Sequence, residues 1–173
     1  PSLSGAAPGF EFEVVTAASG VVLRALSAAE GFGACQVSQL KAFSKLCRKL
    51  FDCEAGYAKK PAKDPGGTKR DACRGKGGEG FAKAYDKAVA KAAARGELCG
   101  LTTSAAEASA AVAEPADEIV GDVLTGWDPG ANGDDDALRS ALLKETGRLC
   151  GAFLAAASGH AKKRDEAKRD SAR

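Results

Sequence analysis

The six cysteines are the residues of this chain whose type and spacing most clearly suggest chemistry. Three of them, Cys35, Cys47 and Cys53, lie in the amphipathic stretch FGACQVSQLKAFSKLCRKLFDCEAGY, residues 32–57. Structural zinc sites and redox sites use close pairs such as C-x-x-C, whereas Cys47 and Cys53 are separated by five residues. The chain has a single histidine, His160. The pattern therefore favours three disulfides over a metal site, a redox site or free thiols.

Other patterns give weaker indications of a site. DPGANGDDDALR, residues 128–139, resembles a calcium loop at its first, fifth and sixth positions, but Gly130 is third and Arg139 is twelfth, where a glutamate belongs. We interpret it as a helix-capping turn. RGKGGEG, residues 74–80, lacks the order of a Walker loop. His160 has no accompanying nucleophile motif and is interpreted as a solvated side chain. The sequence therefore predicts no catalytic residue, no cofactor and no metal ligand.

The charges are distributed unevenly, although the net charge is only +2. Residues 114–136 carry eight acidic side chains and no basic one. Residues 59–76 carry seven basic side chains against two acidic ones, a net of +5. The seven are Lys59, Lys60, Lys63, Lys69, Arg70, Arg74 and Lys76. Such a segment is either a solvated loop or a surface that docks a host protein or a glycan polyanion. Because Tyr57 is its one aromatic neighbour, no stacking platform and hence no nucleic-acid partner is predicted.

The elements that position these residues are predicted to be helices. The apolar content is rich in alanine, which favours helices over strands. A spacing that alternates between four and three residues predicts one helix over residues 13–52. It runs through Val15, Ser19, Val22, Leu26, Ala29, Gly33, Gln36, Leu40, Phe43, Cys47 and Leu50. Residues 54–78, with two prolines and six glycines, are predicted to form a long loop.

Three further helices are predicted after this loop. The second covers residues 79–95, ends at Gly96 and Gly100, and has a buried face of Phe81, Tyr85, Ala88 and Ala92. Ser104 and Glu107 form a capping box that begins the third, which Pro115 kinks or divides. Its predicted core face is Ile119, Val120, Val123, Leu124 and Trp127. The last runs from residue 137 into the charged tail, with an inward face of Leu138, Leu142, Leu149, Phe153 and Ala156.

Helix geometry limits how the cysteines can pair. Cys35 and Cys47 are about 18 Å apart along one helix, whereas the two Cα atoms of a disulfide lie within about 7 Å. Each cysteine of the first helix must therefore reach Cys73, Cys99 or Cys150, which leaves six of about fifteen connectivities. The heights of these residues along an antiparallel bundle then select one connectivity. It comprises Cys35–Cys99, Cys47–Cys150 and Cys53–Cys73.

Together these predictions describe an all-α protein. We expect an elongated, disulfide-stapled antiparallel helical bundle of three to four helices. Residues 1–12 form a flexible leader, residues 13–160 form one helical domain containing the long loop 54–78, and residues 161–173 form a charged C-terminal tail. One end of this bundle is predicted to hold both the basic loop and the acidic turn 128–136.

These features resemble the ectodomains of African trypanosome surface proteins. The features in question are the long N-terminal heptad helix, the disulfides to later helices, and the final helix ending in AKKRDEAKRDSAR. The family comprises invariant and variant surface glycoproteins, the haptoglobin–haemoglobin receptor and small insect-stage surface antigens. The resemblance implies an extracellular protein held at the parasite surface by a C-terminal GPI anchor, with no other membrane contact. We expect the signal for that anchor to lie outside this chain.

The sequence therefore leaves two functions as the main candidates. The first is a non-enzymatic cell-surface protein that shields the membrane or binds a host macromolecule. The second is a secreted, cysteine-rich helical carrier of a small apolar ligand, with small residues such as Ala29, Gly33 and Ala156 leaving a cavity. An enzyme ranks third, because no catalytic constellation is present in the sequence.

Overall fold

In this computed structural model, residues 34–97, 99 and 104–171 are described, with side chains as far as residue 163. The helices are α1 (Ala34–Lys59), α2 (Thr68–Ala93), α3 (Ala105–Leu124) and α4 (Gly133–Ser171), and a 3₁₀ turn covers Pro61–Lys63. This part of the chain contains no strand, so the predicted all-α, disulfide-stapled bundle is confirmed. The predicted leader and residues 13–33 of the first predicted helix lie outside the described residues.

Helix α1 lies at the centre of the bundle. It packs most extensively against α4, then against α2, and also contacts α3. Its predicted heptad positions Leu40, Phe43, Cys47 and Leu50 are buried, as expected. Residues on its other faces, such as Phe51, are buried as well, because α1 is covered from three sides. Every other element is therefore positioned by its contact with α1.

The prediction of a loop over residues 54–78 was wrong. Helix α1 continues to Lys59, close to the proline that stops it, and α2 already begins at Thr68. Four glycines lie between residues 75 and 80 of α2, and each costs about 1 kcal/mol relative to alanine in a helix. The Cys53–Cys73 bond and an ion pair between Glu54 and Arg74 join this part of α2 to α1. Tertiary contacts thus offset a poor local helix propensity.

The predictions for α2 and α3 are otherwise mostly confirmed. Phe81, Tyr85, Ala88 and Ala92 form the buried face of α2, and Gly96 follows with a left-handed φ of 68°. Ser104 and Glu107 form the capping box of α3. Pro115 is buried inside α3 without ending it. The predicted core face of α3 divides into two groups: Ile119 and Val123 are buried, whereas Val120, Leu124 and Trp127 are half-buried.

The predicted inward face of α4 was partly wrong. Leu142 and Leu149 are half-buried, and Leu142 packs against the core. Leu138 and Phe153 are 49% and 45% exposed, and Ala156 is also exposed. The face that meets α1 is rotated by about one residue and consists largely of small or polar side chains. Its buried members are Asp136, Ser140, Leu143, Thr146, Gly147, Cys150, Gly151, Leu154 and Ser158. The prediction followed the largest apolar residues, whereas close approach of two helices selects the smallest.

Three disulfides link the helices, and they are the three pairs that the sequence predicted. The Cα–Cα distances are 5.6 Å for Cys35–Cys99, 6.3 Å for Cys47–Cys150 and 5.8 Å for Cys53–Cys73. Cys47–Cys150 joins α1 to α4, and Cys53–Cys73 joins α1 to α2. Disulfides are typical of proteins that fold in an oxidising compartment, which is compatible with an extracellular or secreted protein.

Candidate functional site

The loop end of the bundle, where α1 passes into α2, carries most of the predicted basic surface. A cleft of about 340 Å³ opens there between the two helices. We call its four basic side chains, Lys60, Lys63, Lys69 and Arg70, the upper cluster. The walls of the cleft also include Gly56, Tyr57 and the Cys53–Cys73 disulfide, with Asp52 and Asp64 as its acidic residues. The prediction grouped these four cations, and Lys60 and Lys63 do lie in the connection between α1 and α2. Lys69 and Arg70 lie on α2 and not on the predicted loop.

Local hydrogen bonds position the upper cluster. The Asp64 carboxylate accepts the backbone N–H groups of Lys69 and Arg70 at 3.1 and 3.0 Å, which satisfies donors at the start of α2. Desolvation raises the pKa of Asp64, but these hydrogen bonds and the two neighbouring cations outweigh it and lower the pKa below its ordinary value. The Lys69 ammonium donates to the Lys63 carbonyl at 3.0 Å. The first turn of α2 is thereby held against the 3₁₀ turn.

Arg70 closes one side of the cleft. Its guanidinium carbon lies 5.0 Å from the ring centroid of Tyr57, a cation–π geometry. Its Nε donates to Asp71 at 2.9 Å, and this hydrogen bond is the main reason that its pKa is raised. The Tyr57 ring also meets Trp127 edge-on, at 5.6 Å between centroids. The one aromatic ring of the cleft is therefore already covered by side chains of the protein.

Arg74 is separated from the upper cluster by its contacts. Its Nη1 donates to Glu54 at 2.6 Å, and its Nη2 donates to Asp117 of α3. The Glu54 side chain is only 2% exposed, so Arg74 neutralises a buried carboxylate. Burial lowers the pKa of Arg74, but the bonds to Glu54 and Asp117 outweigh it and raise the pKa. Arg74 therefore joins three helices and is not available to a partner.

The other two predicted residues lie outside the cleft. Lys59 is exposed at the end of α1, and Lys76 is exposed on α2, where it lines a second groove. Lys45 and Lys49 of α1 line the same groove and were not among the residues predicted from sequence. Their four-residue spacing on a predicted helix was a usable signal, but their pairing with Lys76 required the α1–α2 register. Glu54 likewise gave no sequence signal of its burial.

The acidic turn lies at the same end of the bundle, as predicted. Gly130 lies next to Pro61, on the side of the upper cluster that faces α3 and α4. Asp136 is buried and accepts Trp127 Nε1 at 2.8 Å and the Gly130 N–H at 3.3 Å. Asn132 Oδ1 accepts the Asp134 N–H at 3.0 Å. These contacts are those of a turn that begins α4, which agrees with the capping interpretation.

The basic side chains of the cleft have the charge to attract anions. Within residues 34–97, 99 and 104–171, no group of three or more histidine, cysteine, aspartate or glutamate residues is placed to hold a metal ion. His160 lies exposed on α4, far along the chain from the cleft. Lys60, Lys63 and Lys69 form no ion pair with any described residue, so their charges remain available.

Among the described helices, none is long and apolar enough to cross a bilayer. Comparison with known proteins found no matching family model, no matching curated protein and no matching solved structure.

Proposed function

We propose that this protein is a non-enzymatic helical protein of a cell surface that binds a polyanionic host macromolecule through its upper cluster. The observation that carries the proposal is the cleft between α1 and α2, lined by four basic side chains against two acidic ones. One of the acidic residues, Asp64, is engaged by the backbone of α2. The cleft thus presents an excess of positive charge to solvent.

The charge of the upper cluster supports binding for an energetic reason. Its three lysines form no ion pair among the described residues, and of these only Lys69 is drawn toward a neighbouring carboxylate, that of Asp64. An anion therefore gains the attraction of Lys60 and Lys63 without displacing an internal carboxylate. Exposed single pairs contribute only about 0–1 kcal/mol each, so useful affinity requires several contacts at once. A polymer with repeated negative charges makes such contacts and releases its counterions when it binds.

The test is salt-dependent binding to two polyanions, heparin and polyglutamate, by the oxidised protein. We expect the logarithm of the affinity to fall linearly with the logarithm of salt concentration. A Lys60→Glu/Lys63→Glu/Lys69→Glu variant should lose at least about tenfold in affinity and should have a shallower salt slope. The matched control, Lys91→Glu/Lys144→Glu/Lys163→Glu, changes the net charge equally at exposed positions elsewhere.

Two results would overturn the polyanion proposal. One is wild-type protein that binds neither polymer at physiological salt. The other is an equal loss of affinity in both triple variants, because that would indicate dependence on net charge alone.

The surface location rests on the three disulfides and on the resemblance to trypanosome surface proteins, with a GPI anchor in the full-length protein. An antibody against this chain should label intact cells of the source organism. Treatment with a phosphatidylinositol-specific phospholipase should release the label. Labelling that requires permeabilised cells would contradict the proposal.

A carrier of a small apolar ligand is the second candidate. The clefts of about 290 and 340 Å³ between α1 and α2 are close to the lower limit of small-molecule sites. Native mass spectrometry of the freshly purified protein distinguishes the two functions. A bound lipid-sized mass at stoichiometric amount would favour the carrier, and its absence would count against it.

A further inference from the structure

A second basic groove lies below the upper cluster on the same pair of helices. It has a volume of about 290 Å³, and its rim carries Lys45 and Lys49 from α1 and Lys76 from α2. We call these three residues the lower cluster. All three are exposed, and none forms an ion pair with any residue in the described ranges. The lower groove therefore presents positive charge that the fold does not use.

The two clusters lie on one face of the helix pair. Gly77 packs against Lys49, Cys53 is bonded to Cys73, and Arg70 covers Tyr57, so α1 and α2 run antiparallel in a constant register. Lys45, Lys49 and Gly56 of α1, which line the two openings, are four and seven residues apart and so share one helix face, and Lys60 follows directly after the end of α1. Lys45 and Lys60 are about 22 Å apart along α1.

Three glycines contribute to the floor between the rows of cations. Gly56 lines the upper cleft, and Gly77 and Gly80 line the lower groove. A Cβ atom at Gly56 or Gly80 would meet nothing within 4 Å, so helix packing does not require glycine there. Glycine inside a helix is unfavourable by about 1 kcal/mol relative to alanine. Its presence leaves the face open for close approach of another chain.

We propose that the upper and lower clusters form one continuous track that binds a single linear sulfated glycan. This inference rests on the proposed polyanion binding and deepens it, because it names the class of polymer and adds Lys45, Lys49 and Lys76. Seven cations and two carboxylates line the track, a net of +5. The lysines of the two clusters lie toward the two ends of a stretch about 22 Å long, with Asp52 between them, and a linear polymer with repeated sulfates can reach both ends.

An acidic protein fits this track less well than a glycan. Protein interfaces draw most of their affinity from buried aromatic or apolar anchors. The exposed large apolar side chains of the described residues, Leu138 and Phe153, both lie on α4 and not on the track. Tyr57 is already covered by Arg70 and Trp127, which also removes a stacking platform for a nucleic acid. Charge is therefore the main attraction that the track offers.

The acidic turn sets the direction of the bound chain. It lies beside Pro61, on the α3 and α4 side of the loop end, and its exposed carboxylates repel a polyanion that extends over that end. The lower cluster lies in the opposite direction along α1 and α2. A chain seated in the upper cleft is therefore directed down the track toward Lys49 and Lys45.

The experiment measures the affinity of heparin oligosaccharides of increasing length for three oxidised proteins. They are the wild type, a Lys45→Glu/Lys49→Glu/Lys76→Glu variant, and the Lys91→Glu/Lys144→Glu/Lys163→Glu control. For the wild type we expect affinity to rise at least about tenfold once the oligosaccharide spans both clusters, because the second contact is intramolecular. The lower-cluster variant should lose this rise while keeping its affinity for the shortest oligosaccharide. The control should keep the rise.

Competition distinguishes the two sources of negative charge. Polyglutamate of equal total charge should displace a long heparin fragment at least about tenfold less well than unlabelled heparin does. Equal displacement would overturn the glycan assignment in favour of an acidic protein. An unchanged length dependence in the lower-cluster variant would overturn the track but leave binding at the upper cluster standing. Failure of the wild type to bind either polymer would overturn the proposed function itself.

Discussion

Helix α1 contacts α4 and α2 through two very different interfaces. At the α1–α4 interface, a Cβ atom on Gly147 would lie 2.7 Å from the Cβ of Phe51, and one on Gly151 would overlap the Arg48 side chain. Hydroxyl groups reinforce this contact: Ser44 donates to the Gly151 carbonyl at 2.8 Å, and Ser140 donates to the Ala55 carbonyl at 2.8 Å. The two helices approach closely because the contacting residues are small.

The α1–α2 interface includes the buried rings of Phe43, Phe81 and Tyr85, but clefts of about 290 and 340 Å³ open along its surface. Its anchors at the loop end are the Cys53–Cys73 bond and the Glu54–Arg74 ion pair. Gly80 lines the lower groove, and a Cβ atom added there would have no neighbour within 4 Å. Glycine therefore has two roles here. In α4 it permits close packing, which stabilises the fold, and in α2 it leaves a surface open that is accessible for the proposed binding.

Loss of a disulfide should have the largest effect and should differ between the two interfaces. Cys47–Cys150 closes a sequence separation of 103 residues and Cys53–Cys73 one of 20. In the chain-entropy model the longer closure contributes about 4–5 kcal/mol and the shorter about 3 kcal/mol. We expect Cys47→Ala/Cys150→Ala to destabilise the protein more than Cys53→Ala/Cys73→Ala in denaturant titrations. The reverse order would indicate that the open interface carries more of the stability.

Substitution of Arg74, at the α1–α2 interface, should cause the second largest loss of stability. Arg74→Met removes the close ion pair of the buried Glu54 and leaves only Arg70, 3.9 Å away, as its cation, which should cost about 3 kcal/mol of unfolding free energy. The double variant Arg74→Met/Glu54→Leu should recover most of this loss, because a buried ion pair can be replaced by apolar contacts. Thermal and denaturant unfolding measure both effects. A single variant as stable as the wild type would contradict the structural role of Arg74.

Alanine substitutions at glycines should have opposite signs at the two interfaces. Gly147→Ala should destabilise by about 1–3 kcal/mol, because its methyl group overlaps the buried Phe51. Gly80→Ala, in the lower groove, should stabilise by about 1 kcal/mol, because the site is open and alanine favours the helix. Denaturant midpoints of the two variants measured side by side give the comparison. Two changes of the same sign would contradict the distinction drawn between the interfaces.

Substitutions in the N-terminal cap of α3 should have the smallest effect on stability. Because the cap lies outside both interfaces, the pH dependence of its contribution can be tested separately. Hydrogen bonds from the Ser104 backbone and hydroxyl lower the pKa of Glu107 below its ordinary value of 4.5. The folded state thus favours the carboxylate, so the stabilisation is present above the unfolded pKa and is lost as pH falls through the folded pKa. Glu107→Gln should therefore differ from the wild type at neutral pH and converge with it in acid.

Ser104→Ala tests the same cap without changing a charge. It should cost about 1 kcal/mol, which is typical of a lost N-cap. A difference between wild type and Glu107→Gln that stays constant from neutral to acid pH would show that the capping box does not form.

Several features of this protein were determined by sequence alone. The heptad spacing of Leu40, Phe43, Cys47 and Leu50 and the capping pair Ser104 and Glu107 are local patterns, and local patterns specify helices directly. The cysteine pairing also followed from sequence, because rise per residue and antiparallel order fix which cysteines lie at equal heights. The grouping of Lys60, Lys63, Lys69 and Arg70 required only their proximity in the chain.

Other features were decided by the tertiary structure. Residues 68–78 contain residues that disfavour a helix, yet a disulfide and an ion pair to α1 hold the chain in one. The inward face of α4 depends on how closely α1 approaches it, and the hydrophobic pattern of α4 alone does not give that distance. Arg74 does not contribute to the basic surface, because its guanidinium is bound by Glu54 and Asp117. Lys45 and Lys49 line one groove together with Lys76 and so belong to the basic surface. Residues this distant in sequence become neighbours only when the register of the two helices is fixed.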